Sequence, residues 1–151
     1  QYIPNVLPRA LFSNCSIEHF YDDNLALQNI YYYLKQDGIL VLTTDSLSRK
    51  GFSRDLIEKH KHDYDVNNYY TYDTLSKKLR NAGFDILDYR YYLTSWISDY
   101  FYSLGIQFGM NSWVLYLFPL VYPITLLSDF IYGYKKHGCC LAILAIKRNN
   151  D

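Results

Sequence analysis

Apolar and polar positions change period several times along the chain, and each change marks an element. Leu11 and Phe12 close an apolar run that Ser13, Asn14, Cys15 and Ser16 interrupt, so a strand ends there and a small polar turn follows. Leu27, Ile30, Tyr31 and Leu34 then recur at i, i+3, i+4 and i+7, one stripe of a helix. Asp22 and Asp23 fall in its first turn, where the helix dipole favours negative charge, and Gly38 is expected at its C′ position. Ile39 to Thr43 supplies strand formers without a charge, the pattern of a strand covered on both faces. Residues 11–45 therefore predict a strand, helix, strand unit with a polar cluster at its first turn, where open α/β sheets place their ligands.

The flanking segments are simpler. Gln1 to Arg9 holds Pro4 and Pro8 and reads as an extended approach to the first strand. After Asp45 a polar run of mixed charge predicts a loop and a short helix over Asp55 to Lys61, above the carboxyl edge of the sheet. Thr71 reads as an N-cap, followed by Leu75, Leu79 and Ala82 at helical spacing and Gly83 as the stop. Phe84 to Leu93 is a strand interrupted by Asp85, Asp88 and Arg90, which suits an edge. Cys139 to Ile146 is apolar at every position and belongs between two other strands.

Between those last two strands lies a segment of another kind. From Tyr100 to Ser128 there is no charged residue, and Trp113 to Leu127 is almost wholly apolar. Its length permits a membrane span, but a single crossing would separate two strands that belong to one sheet. Pro119 and Pro123 are expected to break any straight helix. Residues 94–136 therefore read as a helical insertion or lid whose remaining apolar surface meets lipid, a lipid-like substrate or a second subunit, the alternative being packed core. In the lipid case Trp113 should report the contact, and Lys135 and Lys136 should meet anionic headgroups.

Composition narrows the partners. A chain of 151 residues, half of them apolar, can bury the core of one domain, and residues 1–151 are read as such. Its 15 basic and 15 acidic side chains cancel, so nucleic acid is not the expected partner. The 18 Tyr put many polar-tipped rings at half-wet positions. Three cysteines, two of them adjacent at Cys139 and Cys140, make no secreted-type framework and point to a reducing cytoplasm. No leader pattern is visible and residue 1 is Gln, so the chain reads as a fragment or processed product.

Four passages together carry a family likeness. SNCSIEHFYDD resembles the segment after the fourth strand of class I methyltransferases that use S-adenosylmethionine, and YYYLKQDGILVLTT resembles their passage from helix through Leu-Lys-x-x-Gly into the fifth strand. YYTYDTLSKKLRNAGFDILDYRYY is similar to the next helix and sixth strand, and HGCCLAILAIKRN to the closing seventh. The resemblance implies an α/β fold, a partial Rossmann-like sheet with strands equivalent to 4-5-7-6 and the last antiparallel, forming the C-terminal part of a methyltransferase domain. The glycine-rich loop and acidic residue that hold the cofactor in that family are absent from this sequence.

The resemblance also implies a cofactor, S-adenosyl-L-methionine, with Ser13, Asn14, Cys15 and Ser16 running past its methionyl part. Methyl transfer from a sulfonium needs alignment and exclusion of water, and a base only where the acceptor loses a proton. Glu18 and His19 are the catalytic candidates; on a helix they point about 100° apart, so one can serve the site while the other makes a structural bond. His19 suits the base, since imidazole titrates near neutral pH, while Glu18 could equally cap the helix start. His60 and His62 sit in a charge run that reads as solvated, and His62, Tyr69 and Tyr70 are the candidate acceptor contacts. No metal is expected, because Cys15 stands where related metal-binding patterns carry an acid. Cys139 and Cys140 read as buried strand residues.

The reading that follows is a cytoplasmic enzyme, peripheral at the membrane through residues 100–134, that methylates a hydroxyl of a small, glycan or lipid-linked acceptor, with self-association left open. This chain alone is expected to be inactive. The rival is an inactive methyltransferase-like module that acts as a membrane-facing or partner-binding scaffold. A nucleotide-dependent dehydrogenase half is disfavoured by the antiparallel closing strand.

Overall fold

A computed structural model of the chain describes residues 7–47, 51–109, 114–133 and 136–148. The elements run β1 (Ala10–Asn14), one 3-10 turn (Ile17–His19), α1 (Asp23–Tyr33), β2 (Ile39–Asp45), α2 (Arg54–Tyr64), α3 (Tyr72–Asn81), β3 (Phe84–Tyr92), α4 (Trp96–Phe108), α5 (Val114–Tyr132) and β4 (Cys140–Lys147). Most of the lead-in Gln1 to Arg9, together with Trp113 and Lys135, lies outside the described residues.

The four strands form one sheet in the order β1-β2-β4-β3. β1 and β2 are parallel, Leu11 beside Leu40 and Ser13 beside Leu42. β4 enters antiparallel between β2 and β3, with Val41 opposite Leu144 and Tyr91 opposite Leu141. This is the expected 4-5-7-6 arrangement, with the most apolar strand inside and the charge-interrupted β3 at an edge. A register shift between Ile86 and Asp88 bends that edge strand, as bulges do.

One face of the sheet is packed. Leu40, Leu42, Leu141, Ile143 and Ala145 meet Leu27 and Leu34 of the α1 segment and Leu75 and Leu79 of α3. Lys147 closes this layer: its ammonium donates to the carbonyls of Tyr31 (2.7 Å) and Leu34 (2.8 Å) at the end of α1 and lies over the Tyr31 ring. Deeper in, Asp23 accepts from Lys78 (2.7 Å) and from the Tyr70 hydroxyl (2.5 Å), which ties α1 to α3.

The other face departs from expectation. The charge-free β2 predicts cover on both sides, yet Ile39, Val41 and Thr43, with Ala142, Leu144 and Ile146 beside them, are only half covered, and Phe12 of β1 is 66 % exposed. A shallow groove lined by Val41, Tyr89, Ala142 and Leu144 crosses this face. β1 is also an edge, unpaired on its outer side among the described residues. Apolar strands of this kind are normally sandwiched, and among the described residues this face is only half covered.

Helix ends follow their caps, with two corrections. Asp22 accepts from the Leu25 amide to start α1, and Thr71 with Thr74 forms a reciprocal capping box for α3, which Gly83 follows at φ 99°. α1, however, ends at Tyr33 with Leu34 already extended, so Gly38 is not its C′ residue. Gly38 is required by close approach instead, since a Cβ there would lie 2.6 Å from the Leu34 side chain and the Lys35 carbonyl. The second correction concerns Pro119 and Pro123, which lie inside α5 rather than breaking it. α4 and α5 pack against one another, and α4 also meets α2. Among the described residues no helix is long and apolar enough to cross a membrane.

Candidate active site

The carboxyl ends of β1 and β2 carry the polar cluster. At Cys15 the backbone turns left-handed (φ 44°), and its amide donates to the Thr43 carbonyl (3.0 Å) and hydroxyl (3.1 Å), which pins the turn to β2. Thr43 in turn donates to the Asn14 side chain (2.6 Å), and Ser16 donates back to the Asn14 carbonyl (2.9 Å). Ser13 to Ser16 therefore form a rigid, uncharged ledge at the sheet's carboxyl edge.

The next turn sends Glu18 and His19 in opposite directions. Glu18 is fully buried and accepts from the Thr44 hydroxyl (3.0 Å) and the Asp45 amide (3.2 Å), so it caps the end of β2 rather than a helix. Burial drives its carboxyl above the ordinary range against those hydrogen bonds. His19 is exposed, with Nδ1 3.1 Å from the Asp65 carbonyl. A carbonyl only accepts, so Nδ1 is the protonated, donating nitrogen, and in the neutral ring Nε2 is the acceptor. The α2 sequence arranges this: Asp65 caps the helix in the left-handed conformation, turning its carbonyl outward. Asn67 fixes the turn from above, its amide donating to the Glu18 carbonyl (2.8 Å) and its side chain to the His19 carbonyl (2.7 Å).

Behind the ledge lies a group of which the sequence reading named only Tyr69 as a site residue. Asp45 accepts from the Tyr102 hydroxyl (3.1 Å), faces the Cys140 thiol (3.9 Å) and has His60 Nε2 at 3.7 Å. His60 Nδ1 is 2.7 Å from the Tyr69 hydroxyl. Burial raises Asp45, lowers His60 towards its neutral form, and pushes the Tyr69 and Cys140 protons up. His60 is thus buried, not solvated; it shares a helix face with Leu56, Ile57 and Tyr64, and that phase was the signal available in the sequence. Asp45 was marked by ending an apolar strand at its carboxyl edge.

The other candidates separate. Tyr69 joins His60 in this cluster. Tyr70 instead turns into the core to bond Asp23, and His62 points to solvent beside Asp63. Cys139 is buried and Cys140 half-buried, and all three cysteines are thiols. Cys15, Glu18 and Asp45 offer ligand atoms within 4.8 Å of one another, the one such group among the described residues. Burial, and after it the two carboxyls, raise the Cys15 thiol.

Comparison with known proteins now bears on this geometry. No family model and no curated protein matches the chain. Solved structures do. Phosphoethanolamine N-methyltransferase 2 of Haemonchus contortus, in complex with phosphomonomethylethanolamine and S-adenosylhomocysteine, superposes with a TM-score of 0.59 at 15 % identity, over 99 % of this chain and 35 % of that one. An S-adenosylmethionine-dependent methyltransferase from Mesorhizobium loti gives 0.58 at 12 % identity, over 97 % and 65 %. The cyclase SpnF gives 0.53 at 19 % identity, over 94 % and 50 %. The fold is that of the class I methyltransferases. The chain spans between a third and two thirds of these solved chains, and a cyclase among them shows that the fold alone does not fix the reaction.

Proposed function

We propose that the chain forms the C-terminal part of an S-adenosylmethionine-dependent methyltransferase that methylates a hydroxyl of a small, glycan or lipid-linked acceptor, with residues 94–136 as a lid or insertion. The observation that carries this reading is the strand order β1-β2-β4-β3 with β4 antiparallel, joined to a polar ledge at the carboxyl ends of β1 and β2. The open edge of β1 and the half-covered face of the sheet support the assignment to part of a larger domain, because further strands and a helical layer would cover both.

The ledge Ser13–Ser16 has the rigidity and lack of charge to lie along the methionyl part of the cofactor, and Glu18 and Asp45 behind it favour a positive group there. When bound, the cofactor supplies an electrophilic methyl group. His19 Nε2, with its lone pair directed away from the Asp65 carbonyl, receives the proton of the acceptor hydroxyl. Glu18 acts as a positioning residue that holds the end of β2, and Tyr69, backed by His60, lines the acceptor side. The thiols suit a reducing cytoplasm.

Calorimetric titration of the full-length protein with S-adenosylhomocysteine should show saturable binding. His19→Ala should leave that binding unchanged and lower kcat by a factor of ~100 or more. An absence of binding in the full-length protein overturns the enzymatic reading in favour of a methyltransferase-like scaffold. If residues 1–151 alone bound the cofactor with full affinity, the partial-domain assignment would fail instead.

A further inference from the structure

α5 is packed inside out. The side chains it turns towards α4 are small and polar: Thr125 and Ser128 are each 4 % exposed, and Asp129 accepts from the amides of Thr94 (3.0 Å) and Ser95 (2.9 Å) and the Ser98 hydroxyl (2.6 Å). Ser95 also hydrogen-bonds Ser128 (2.5 Å). The side chains it turns away are large and apolar. Leu120, Ile124, Leu127 and Ile131 are exposed along one line, and Tyr116 and Phe130, 86 % and 89 % exposed, lie beside it. The helix's one charged residue, Asp129, is thus spent inward.

From this we infer that α5 docks the protein on a lipid bilayer surface, lying in the interface rather than crossing it. Three observations choose lipid over a second copy of the chain. At 100° per residue the exposed apolar positions from Tyr122 round to Leu117 cover an arc of about 220°, with Phe118 and Tyr132 exposed outside it, whereas a helix seam with a partner buries one stripe. A fluid apolar phase can cover so wide an arc at once. Tyrosines stand near both ends and the middle, at 116, 122 and 132, and exposed Lys136 and His137 follow the helix, the order expected of a segment held among headgroups. Pro119 and Pro123 cannot donate to the carbonyls of Leu115 and Pro119, so those groups need water or headgroup donors, which an interface supplies and a bilayer centre does not. The inference does not rest on methyl transfer.

The test is sedimentation of the full-length protein with vesicles of phosphatidylcholine, with and without phosphatidylglycerol. Wild type should pellet with both, more strongly with the anionic mixture, and high salt should remove the difference. Leu120→Gln with Leu127→Gln should reduce pelleting at least ~10-fold with unchanged circular dichroism, since both side chains are already exposed. Lys136→Ala should weaken binding only to the anionic vesicles. Failure of wild type to pellet overturns the inference. If wild type self-associates in lipid-free light scattering, and the double variant is monomeric while vesicles are ignored, the face is a dimer surface. Either result leaves cofactor binding untouched.

Discussion

The sheet layer and the α4–α5 pair solve burial in opposite senses. Under the sheet, Leu27, Leu42, Leu75 and Leu141 are inside and the charged ends of α3 are outside, the ordinary arrangement in water. In the α4–α5 pair the buried residues are Ser95, Ser98, Thr125 and Ser128, joined by hydrogen bonds, with Gly105 and Ile106 of α4, and the exposed face of α5 is leucine, isoleucine and aromatic rings. The first region is held by removal of apolar surface from water. The second gains little from that source and depends on satisfied polar groups, each of which would cost more unpaired than paired it contributes. The difference teaches that hydropathy fixes what a residue avoids, while the surroundings of the element decide which side that is.

Truncation should separate the two regions most sharply. Leu42→Ala opens a cavity beneath the sheet and should cost about 3 kcal/mol in urea unfolding, whereas Leu127→Ala should change stability by less than about 0.5 kcal/mol in the absence of lipid. Comparable losses at the two positions would mean that α5 is packed in solution and the contrast is false.

A smaller effect is expected inside the helix pair. Asp129→Ala leaves two amides and the Ser98 hydroxyl without their acceptor and should cost about 2 kcal/mol, felt locally. Hydrogen exchange should rise in the first turn of α4 and stay unchanged in β2 and β4. Equal loss of protection in the sheet strands would show that the pair and the sheet unfold as one unit.

The smallest effect tests the polar cluster where the sheet meets the site. Burial holds Glu18 above its ordinary value of 4.5, so the folded chain binds that proton more tightly than the unfolded chain does. Its contribution is therefore complete below that value and lost as pH rises through the folded one. Asp45 has the same sign. Glu18→Gln keeps an acceptor for Thr44 and Asp45 and removes the titration. Stability measured from pH 4 to 7 should vary less with pH in the variant than in wild type, and at pH 7 the variant should equal or exceed wild type. A variant that is less stable at pH 7 and keeps the wild-type slope would show that Glu18 is not the titrating group.

Much of the fold was legible because its rules are local. Thr71 and Gly83 bound α3 through cap chemistry, the uninterrupted Cys139–Ile146 marked the inner strand, and the charges of β3 marked an edge. The ledge at Ser13–Ser16 followed from a strand ending in small polar residues. Its neighbours were less legible. His62 and His60 sit two positions apart in one charge run, and only the phase of α2 against Leu56 and Tyr64 turns one out and the other in. Glu18 and Asp45 look like unrelated acids 27 positions apart until β1 and β2 pair in parallel and bring the carboxylate to the amide.

The sequence by itself determined the strands, the caps of α3 and the inner position of β4, because backbone propensity, side-chain period and cap hydrogen bonds act over a few residues. Only the tertiary structure decided that the prolines of α5 stay within a helix, that β2 is covered on one face, and that α5 turns its serines inward and its leucines out. Those outcomes depend on what lies across a gap in space, and a pattern of period 3.6 or 2 says which residues share a side without saying what that side will meet.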